Sequence, residues 1–191
     1  MLLAGSGDSP VRGALRIATM AVHLRLHAAP PFQAIADGRL ERSAYAQLLG
    51  RIHAFHVLIE RQAGRSLAGL LPSQRIALLE ADLAALGASP APLPSWSPPA
   101  GAAAALGGLY VAQGSLMGGK LIHRQLDYLF GTGLQGRRYF RGSDADARRW
   151  RALCLRLEQE GAAPGATAAM IAGAQDAFCL FGRCVEDMVL A

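Results

Sequence analysis

No stretch of this chain alternates apolar and polar residues for long enough to make a strand. Its apolar side chains recur every three or four residues instead, in blocks ended by Pro or Gly, which is the period of helices that bury one stripe. Leu15, Ala18, Val22 and Leu26 share a stripe on a helix expected over about 11–28, which Pro30-Pro31 stops. A short helix follows over 32–37, with Gly38 as its C-cap. Ser43 reads as the N-cap of a long helix to about 63, with Leu48, Ile52, Phe55 and Ile59 inward. Pro72-Ser73 opens a helix over 74–86, and the Pro-rich stretch 87–102 reads as a turn-rich connection. A long, glycine-interrupted helix is expected over 103–130, then a Gly- and Arg-rich loop. Ser143 or Asp144 caps a helix to about 160, and Pro164-Gly165 opens the last one. Ala and Leu dominate and β-branched residues are scarce, which agrees with the pattern on propensity grounds. The fold class is all-α, a single domain of long packed helices.

The 191 residues suffice for one compact core and leave little room for a second. Residues 1–12 read as a flexible leader and 13–191 as the domain. The formal net charge is +5, carried almost wholly by Arg. An anionic ligand or an acidic partner therefore fits the chain. No basic block interleaves with aromatics, which disfavours nucleic acid. Cys154, Cys179 and Cys184 form no CxxC pair and are odd in number, so free thiols in a reducing compartment are expected rather than a disulfide framework or a zinc site. With no basic segment followed by an apolar one at the N-terminus, and no long uninterrupted apolar run, a cytoplasmic chain without membrane spans is expected.

Three constellations carry chemistry. Arg16, Thr19 and His23 fall close to one line of the first helix, because seven residues turn through about two revolutions. A neutral imidazole is a good axial ligand for heme iron, and a guanidinium two turns away can pair with a carboxylate of the same ligand. The plainer reading is a surface His beside an apolar stripe. Tyr110, Gly114, Ser115, Gly118 and Gly119 lie together on the glycine-interrupted helix. Each glycine there costs about 1 kcal/mol relative to Ala, so either a close helix crossing or a backbone laid against a planar ligand must justify it. His53, His56 and Glu60 sit on successive turns of the long helix. They read as part of a non-heme metal site or, more plainly, as core histidines bonded to a buried Glu. His27 and His123 read as solvated or structural. The Arg set Arg137, Arg138, Arg141, Arg148, Arg149 and Arg151 reads as a solvated basic face, a carboxylate clamp, or a docking surface for an acidic electron donor.

Taken together, these segments resemble the heme oxygenase family. The run Leu15-Arg16-Ile17-Ala18-Thr19, with Val22-His23 after it, is similar to the family's heme-ligand helix, L-[KR]-x-A-T-x-x-x-H. Tyr45, Leu48, Leu49, Phe55, His56 and Glu60 match the helix that follows it. Tyr110-Val111, Gly114-Ser115 and Gly118-Gly119 look like the glycine-rich distal helix, and the span from Trp150-Arg151 to Phe178 looks like the C-terminal helix pair. The resemblance covers nearly all of the chain from residue 13. It implies a heme-oxygenase-like helical fold and O2-dependent opening of heme to biliverdin, CO and iron. Heme is then both substrate and cofactor, and electrons come from an external donor such as a ferredoxin or a reductase. His23 would be the iron ligand, and Gly114, Ser115 and Gly118 would line the side where O2 reacts. Gly119 would help the kink, while Arg16, Arg151 and Tyr110 would meet the propionates. Many family members carry an Asp where Ser115 stands, which leaves the proton path unassigned. The Gly-Ser-x-x-Gly-Gly pattern is similar to that of the bacterial branch found beside bacteriophytochromes, which implies such a photoreceptor as biliverdin acceptor. A heme binder without turnover, or a non-heme metal oxidase on the same fold using His53, His56 and Glu60, are the rival readings.

Overall fold

The computed structural model describes residues 9–71, 74–186 and 188, with the side chains of 116 and 117 left aside. All regular structure among the described residues is helical. Helix α1 spans Pro10–His27 and α2 Pro30–Ala36. Helix α3 spans Arg42–Ala63, a 3-10 turn covers Arg65–Leu70, and α4 spans Arg75–Ala85. The expected single helix over 103–130 is three pieces: α5 (Ala102–Gly114), α6 (Leu116–Gln125) and α7 (Asp127–Phe130). A further short helix, α8 (Arg138–Arg141), lies in the segment expected to be loop, before α9 (Asp144–Gly161) and α10 (Ala166–Val185).

Some of these helix ends follow local chemistry and others do not. Pro10 and Pro30 start α1 and α2, positions where a missing N–H costs nothing. Ser143 caps α9 in a capping box with Asp146, as expected. Ser43 does not cap α3; that helix begins at Arg42 and Glu41 holds the cap position without a side-chain bond. The expected opening of α4 at Pro72-Ser73 lies outside the described residues. Most of the expected leader also lies outside them, but Pro10–Arg12 are already the first turn of α1. That turn is fixed by Glu158 of α9, which accepts hydrogen bonds from the Ser9 hydroxyl (2.6 Å) and from the N–H groups of Val11 (3.2 Å) and Arg12 (3.0 Å). A carboxylate at a helix N-terminus satisfies orphan donors and complements the dipole.

The core is built around α5 and α10. Helix α5 buries Leu106, Leu109, Val111 and Ala112, and α10 buries Met170, Ala174, Ala177 and Leu180. The two cross so closely that a Cβ on Gly107 would stand 2.0 Å from the Met170 carbonyl oxygen, and one on Gly173 2.0 Å from that of Ala104. By length and composition alone α10 could cross a membrane, but its apolar face packs on α5 and α1, which is how a core helix behaves. Helix α3 adds Leu48, Ile52, Phe55 and Ile59, the expected stripe, all buried. The proline connection straps across the outside, where the Ala91 N–H donates to the Gly50 carbonyl and Trp96 Nε1 donates to Asp176 on α10. Helix α1 packs on α10 and α9, while α6 packs on α8, α5 and α2.

Candidate heme site

Helix α1 turns Leu15, Thr19 and Leu26 inward and leaves Arg16 and His23 exposed on its outer face. The Thr19 hydroxyl is taken up locally, donating to the Leu15 carbonyl at 2.8 Å. The His23 ring meets His27 edge-on, 4.5 Å between centroids with the Nε2 atoms 3.3 Å apart, and the edge of Phe178 on α10 at 6.1 Å. Partial burial, and then the neighbouring His27, lower the His23 pKa. The imidazole is thus held toward the neutral form, whose ring nitrogen can donate a lone pair to a metal. His27, expected to be solvated or structural, is the partner that sits on it.

The second half of the site is the junction of α5 and α6. Ser115 keeps helical dihedrals but donates from its hydroxyl to the Ala112 carbonyl, three residues back, at 2.8 Å. Such back-bonding is a recognised cause of a helix bend. The three glycines around it have different neighbours. A Cβ on Gly114 would touch the Trp150 ring at 3.7 Å, an ordinary contact. One on Gly119 would stand 3.0 Å from the Phe140 carbonyl, so this glycine lets α6 lie against α8. One on Gly118 would meet nothing within 4 Å. Tyr110, one turn before Gly114, tilts against Trp150 at 5.7 Å. The structure therefore gathers Tyr110, Gly114 and Trp150 at the α5–α9 contact, and Arg151 follows Trp150 on the exposed side of α9. In the sequence Trp150 stands out only as a marker of the C-terminal helices.

The remaining polar residues sort differently from expectation. Arg137 is not part of a solvated face; it is 2% exposed and donates to the carbonyls of Gly133, His123 and Gly131 and to Asp127. It ties α6 and α7 to the turn before α8. His53, His56 and Glu60 do not make a metal centre: among the described residues no group of three or more His, Cys, Asp or Glu is placed to share an ion. Nor does Glu60 bond the histidines. His53 Nε2 lies 3.5 Å from Glu80 of α4, and His56 Nε2 lies 2.7 Å from the Tyr139 hydroxyl on α8. Burial, then Arg75 and His53, push the His56 pKa down to about 3, so the ring is neutral.

Tyr139 was missed by sequence reading because it sits in an Arg- and Gly-rich stretch. It is the hub of a buried polar knot. Its N–H donates to Asp82 (2.8 Å), its carbonyl accepts from Arg75 (2.8 Å), and the Arg75 guanidinium stacks over its ring at 5.0 Å. Arg75 also pairs with Asp146 at 3.0 Å. The Tyr139 hydroxyl meets His56 Nε2 at 2.7 Å. An aromatic pair, Tyr139-Phe140, between arginines was the available signal of a buried element there.

The sequence matches the heme oxygenase family model over residues 9–187. The chain belongs to the heme oxygenase family. It is similar to the heme oxygenase of Xanthomonas campestris pv. campestris (strain 8004), 34% identical over 158 residues that cover 80% of this chain and 95% of that one. Among solved structures it is similar in fold to the NO- and CO-bound heme oxygenase from Neisseria meningitidis, with a TM-score of 0.73 at 23% identity over 95% and 96% of the two chains. It is likewise similar to the heme oxygenase from Leptospira interrogans, with a TM-score of 0.69 at 16% identity over 93% and 99%. Heme oxygenases bind heme as substrate and prosthetic group and open it with O2 and a reductant, and this chain is an enzyme of that kind.

The residues present fit that group. His23 offers an imidazole on an exposed helix face, Arg16 offers a cation two turns away, and Gly118 leaves its side of α6 open where any other residue would project.

Proposed function

We propose that this heme oxygenase holds heme with His23 as the iron ligand and with the α5–α6 junction on the opposite side. Arg16 takes one propionate, and Tyr110 and Arg151 serve the other. Gly114 and Gly118 would let the backbone approach the ring, and Ser115 would offer a hydroxyl on that side. When bound, heme supplies the redox chemistry, and the products are biliverdin, CO and iron. The chain itself ligates, orients, and hands on protons. The reading rests most on Gly118: a helical glycine with nothing within 4 Å of its absent side chain has no packing reason to be glycine. Unlike Gly118, Gly119 has a packing reason to be small, so its part in the kink is secondary.

Electrons come from a separate donor, a ferredoxin or a reductase. The exposed Arg141 and Arg148 offer an acidic donor a complementary face. Three free cysteines, Cys154, Cys179 and Cys184, suit a reducing compartment and support a cytoplasmic setting. The Gly-Ser-x-x-Gly-Gly sequence supports a bacterial enzyme that supplies biliverdin to a bacteriophytochrome.

The test is to add hemin to the purified protein, record the visible spectrum, then give ascorbate or reduced ferredoxin in air. Loss of the Soret band with growth of a broad red biliverdin band is the expected result. His23→Ala should abolish the histidine–heme spectrum; an unchanged spectrum would remove His23 from the ligand role. A stable Soret band with every donor would leave a heme binder without turnover.

A further inference from the structure

We propose that His23 and His27 form a two-imidazole chelate for a zinc-class divalent cation in the heme-free protein, and that this cation and heme exclude each other. The chelate stands on the geometry of α1 alone; the exclusion rests on the reading of His23 as the iron ligand. Four residues apart, the two side chains lie one above the other on a single face of the helix. Both are exposed. Their Nε2 atoms stand 3.3 Å apart. Two imidazole nitrogens bound to one tetrahedral ion at about 2.05 Å each are about 3.3 Å from one another, so the pair is already spaced for it. In both rings the nitrogen concerned is Nε2, the one farther from the backbone and the less hindered toward an ion arriving from solvent.

The surroundings leave the pair open to an ion. The edge of Phe178 on α10 braces the His23 ring at 6.1 Å. Arg25, between the two histidines in sequence, is engaged with Glu186 at 3.1 Å. Among the described residues no third His, Cys, Asp or Glu joins the pair, so water takes the remaining positions on the ion. Two protein ligands with exchangeable water make a site that takes up and releases its cation, unlike a closed structural site. Imidazoles suit Zn2+, Cu2+ and Ni2+, whereas Mg2+ and Ca2+ take oxygen. Without an ion, one ring donates its Nε2–H to the other. Binding shifts that hydrogen to Nδ1, which frees both Nε2 lone pairs and leaves each ring neutral. A ring nitrogen has one lone pair to give. A cation on His23 Nε2 therefore leaves none for heme iron, which must reach the same atom because a wide planar ring cannot approach Nδ1 beside the backbone. Free zinc thus holds the protein in its heme-free form, and heme loading expels the ion.

The first measurement needs no heme. Zinc chloride is titrated into the heme-free protein by calorimetry, using the parent, His23→Gln, His27→Gln and, as a control for the exposed thiol on α10, Cys179→Ser. Each histidine variant should bind zinc about 100-fold more weakly than the parent, the lower end of what joining two binding groups in one chain gains. Cys179→Ser should bind as the parent does, and magnesium chloride should give no heat. In NMR the Nε2 signals of both rings should move together as zinc is added. Zinc affinity in His27→Gln equal to the parent's, or movement of one ring without the other, overturns the chelate. Both substitutions replace exposed side chains with a good helix former, so α1 is kept. The second measurement is a hemin titration followed by the Soret band, with and without zinc. The parent's apparent hemin affinity should fall in proportion to zinc once the site is filled, and that of His27→Gln should not respond at the same concentrations. Hemin binding by the parent that ignores saturating zinc overturns the exclusion, and with it His23 as the iron ligand, while the chelate stands. A parent that forms no hemin complex overturns the heme reading and the exclusion together, and the calorimetry alone then decides the chelate.

Discussion

The α5–α10 crossing and the α5–α6 junction both depend on glycine inside helices, for opposite reasons. At the crossing, Gly107 and Gly173 are small because backbone of the other helix stands where a side chain would be. At the junction, Gly118 is small although nothing in the protein opposes a side chain there. A glycine with a neighbour against it serves the fold; Gly118 has no such neighbour, so packing does not explain its cost in helix stability. The crossing is also lined by apolar side chains, whereas α6 lies over the polar knot of Tyr139, His56, Arg75, Asp82 and Asp146.

The largest expected effect comes from filling the crossing. Gly107→Ala or Gly173→Ala should lower unfolding stability by about 3 kcal/mol, the upper end for overpacking, because backbone and not a flexible side chain must move. Denaturant melts would show it, and a loss below about 0.5 kcal/mol would mean the helices part easily, so that packing does not explain these glycines.

The polar region should answer to pH as the apolar crossing does not. His56 has its pKa lowered to about 3 in the folded chain by burial, against about 6.5 unfolded. The unfolded state therefore binds more protons between those values, and stability rises with pH through that window. Its contribution is complete above about pH 6.5 and falls with acidification at up to about 1.4 kcal/mol per pH unit. Lowering the pH from 7 to 5 should cost about 2 kcal/mol through this ring. His23, whose pKa is also lowered, acts in the same direction. His56→Gln should flatten the slope measured by denaturant melts at several pH values; a slope unchanged by that substitution would show that His56 is not the group responsible.

The difference between the two regions also explains what could be read from sequence. The all-α class, the inward stripe of α3 and the Ser143 cap were legible because periodicity and capping are local. The crossing glycines were not, since Gly107 and Gly173 acquire their reason only from each other's helix, 66 residues apart in register and joined by no pattern in the chain. Arg137 looked like its solvated neighbours and is buried, because its value lies in carbonyls freed by the turns around Gly131 and Gly133. Of the candidate site, His23, Arg16 and the glycine cluster were legible through family motifs. The Tyr139–His56 bond was not, because it joins residues 83 apart across α3 and a helix of four residues.

The smallest expected effect is the most discriminating. Gly118→Ala should stabilise the heme-free protein by up to about 1 kcal/mol, the helix-propensity difference, since the new methyl meets nothing. The same substitution should weaken hemin binding or slow turnover, and Gly118→Leu should do so more strongly by projecting further into the same space. A stability gain with function lost identifies a glycine kept for its ligand. If Gly118→Ala gains stability and keeps full hemin affinity and turnover, the open side of α6 is not where heme lies, and the contrast with the crossing no longer marks the site. If it loses stability, the space beside Gly118 is closed in solution, and the glycine belongs with Gly107 and Gly173 after all.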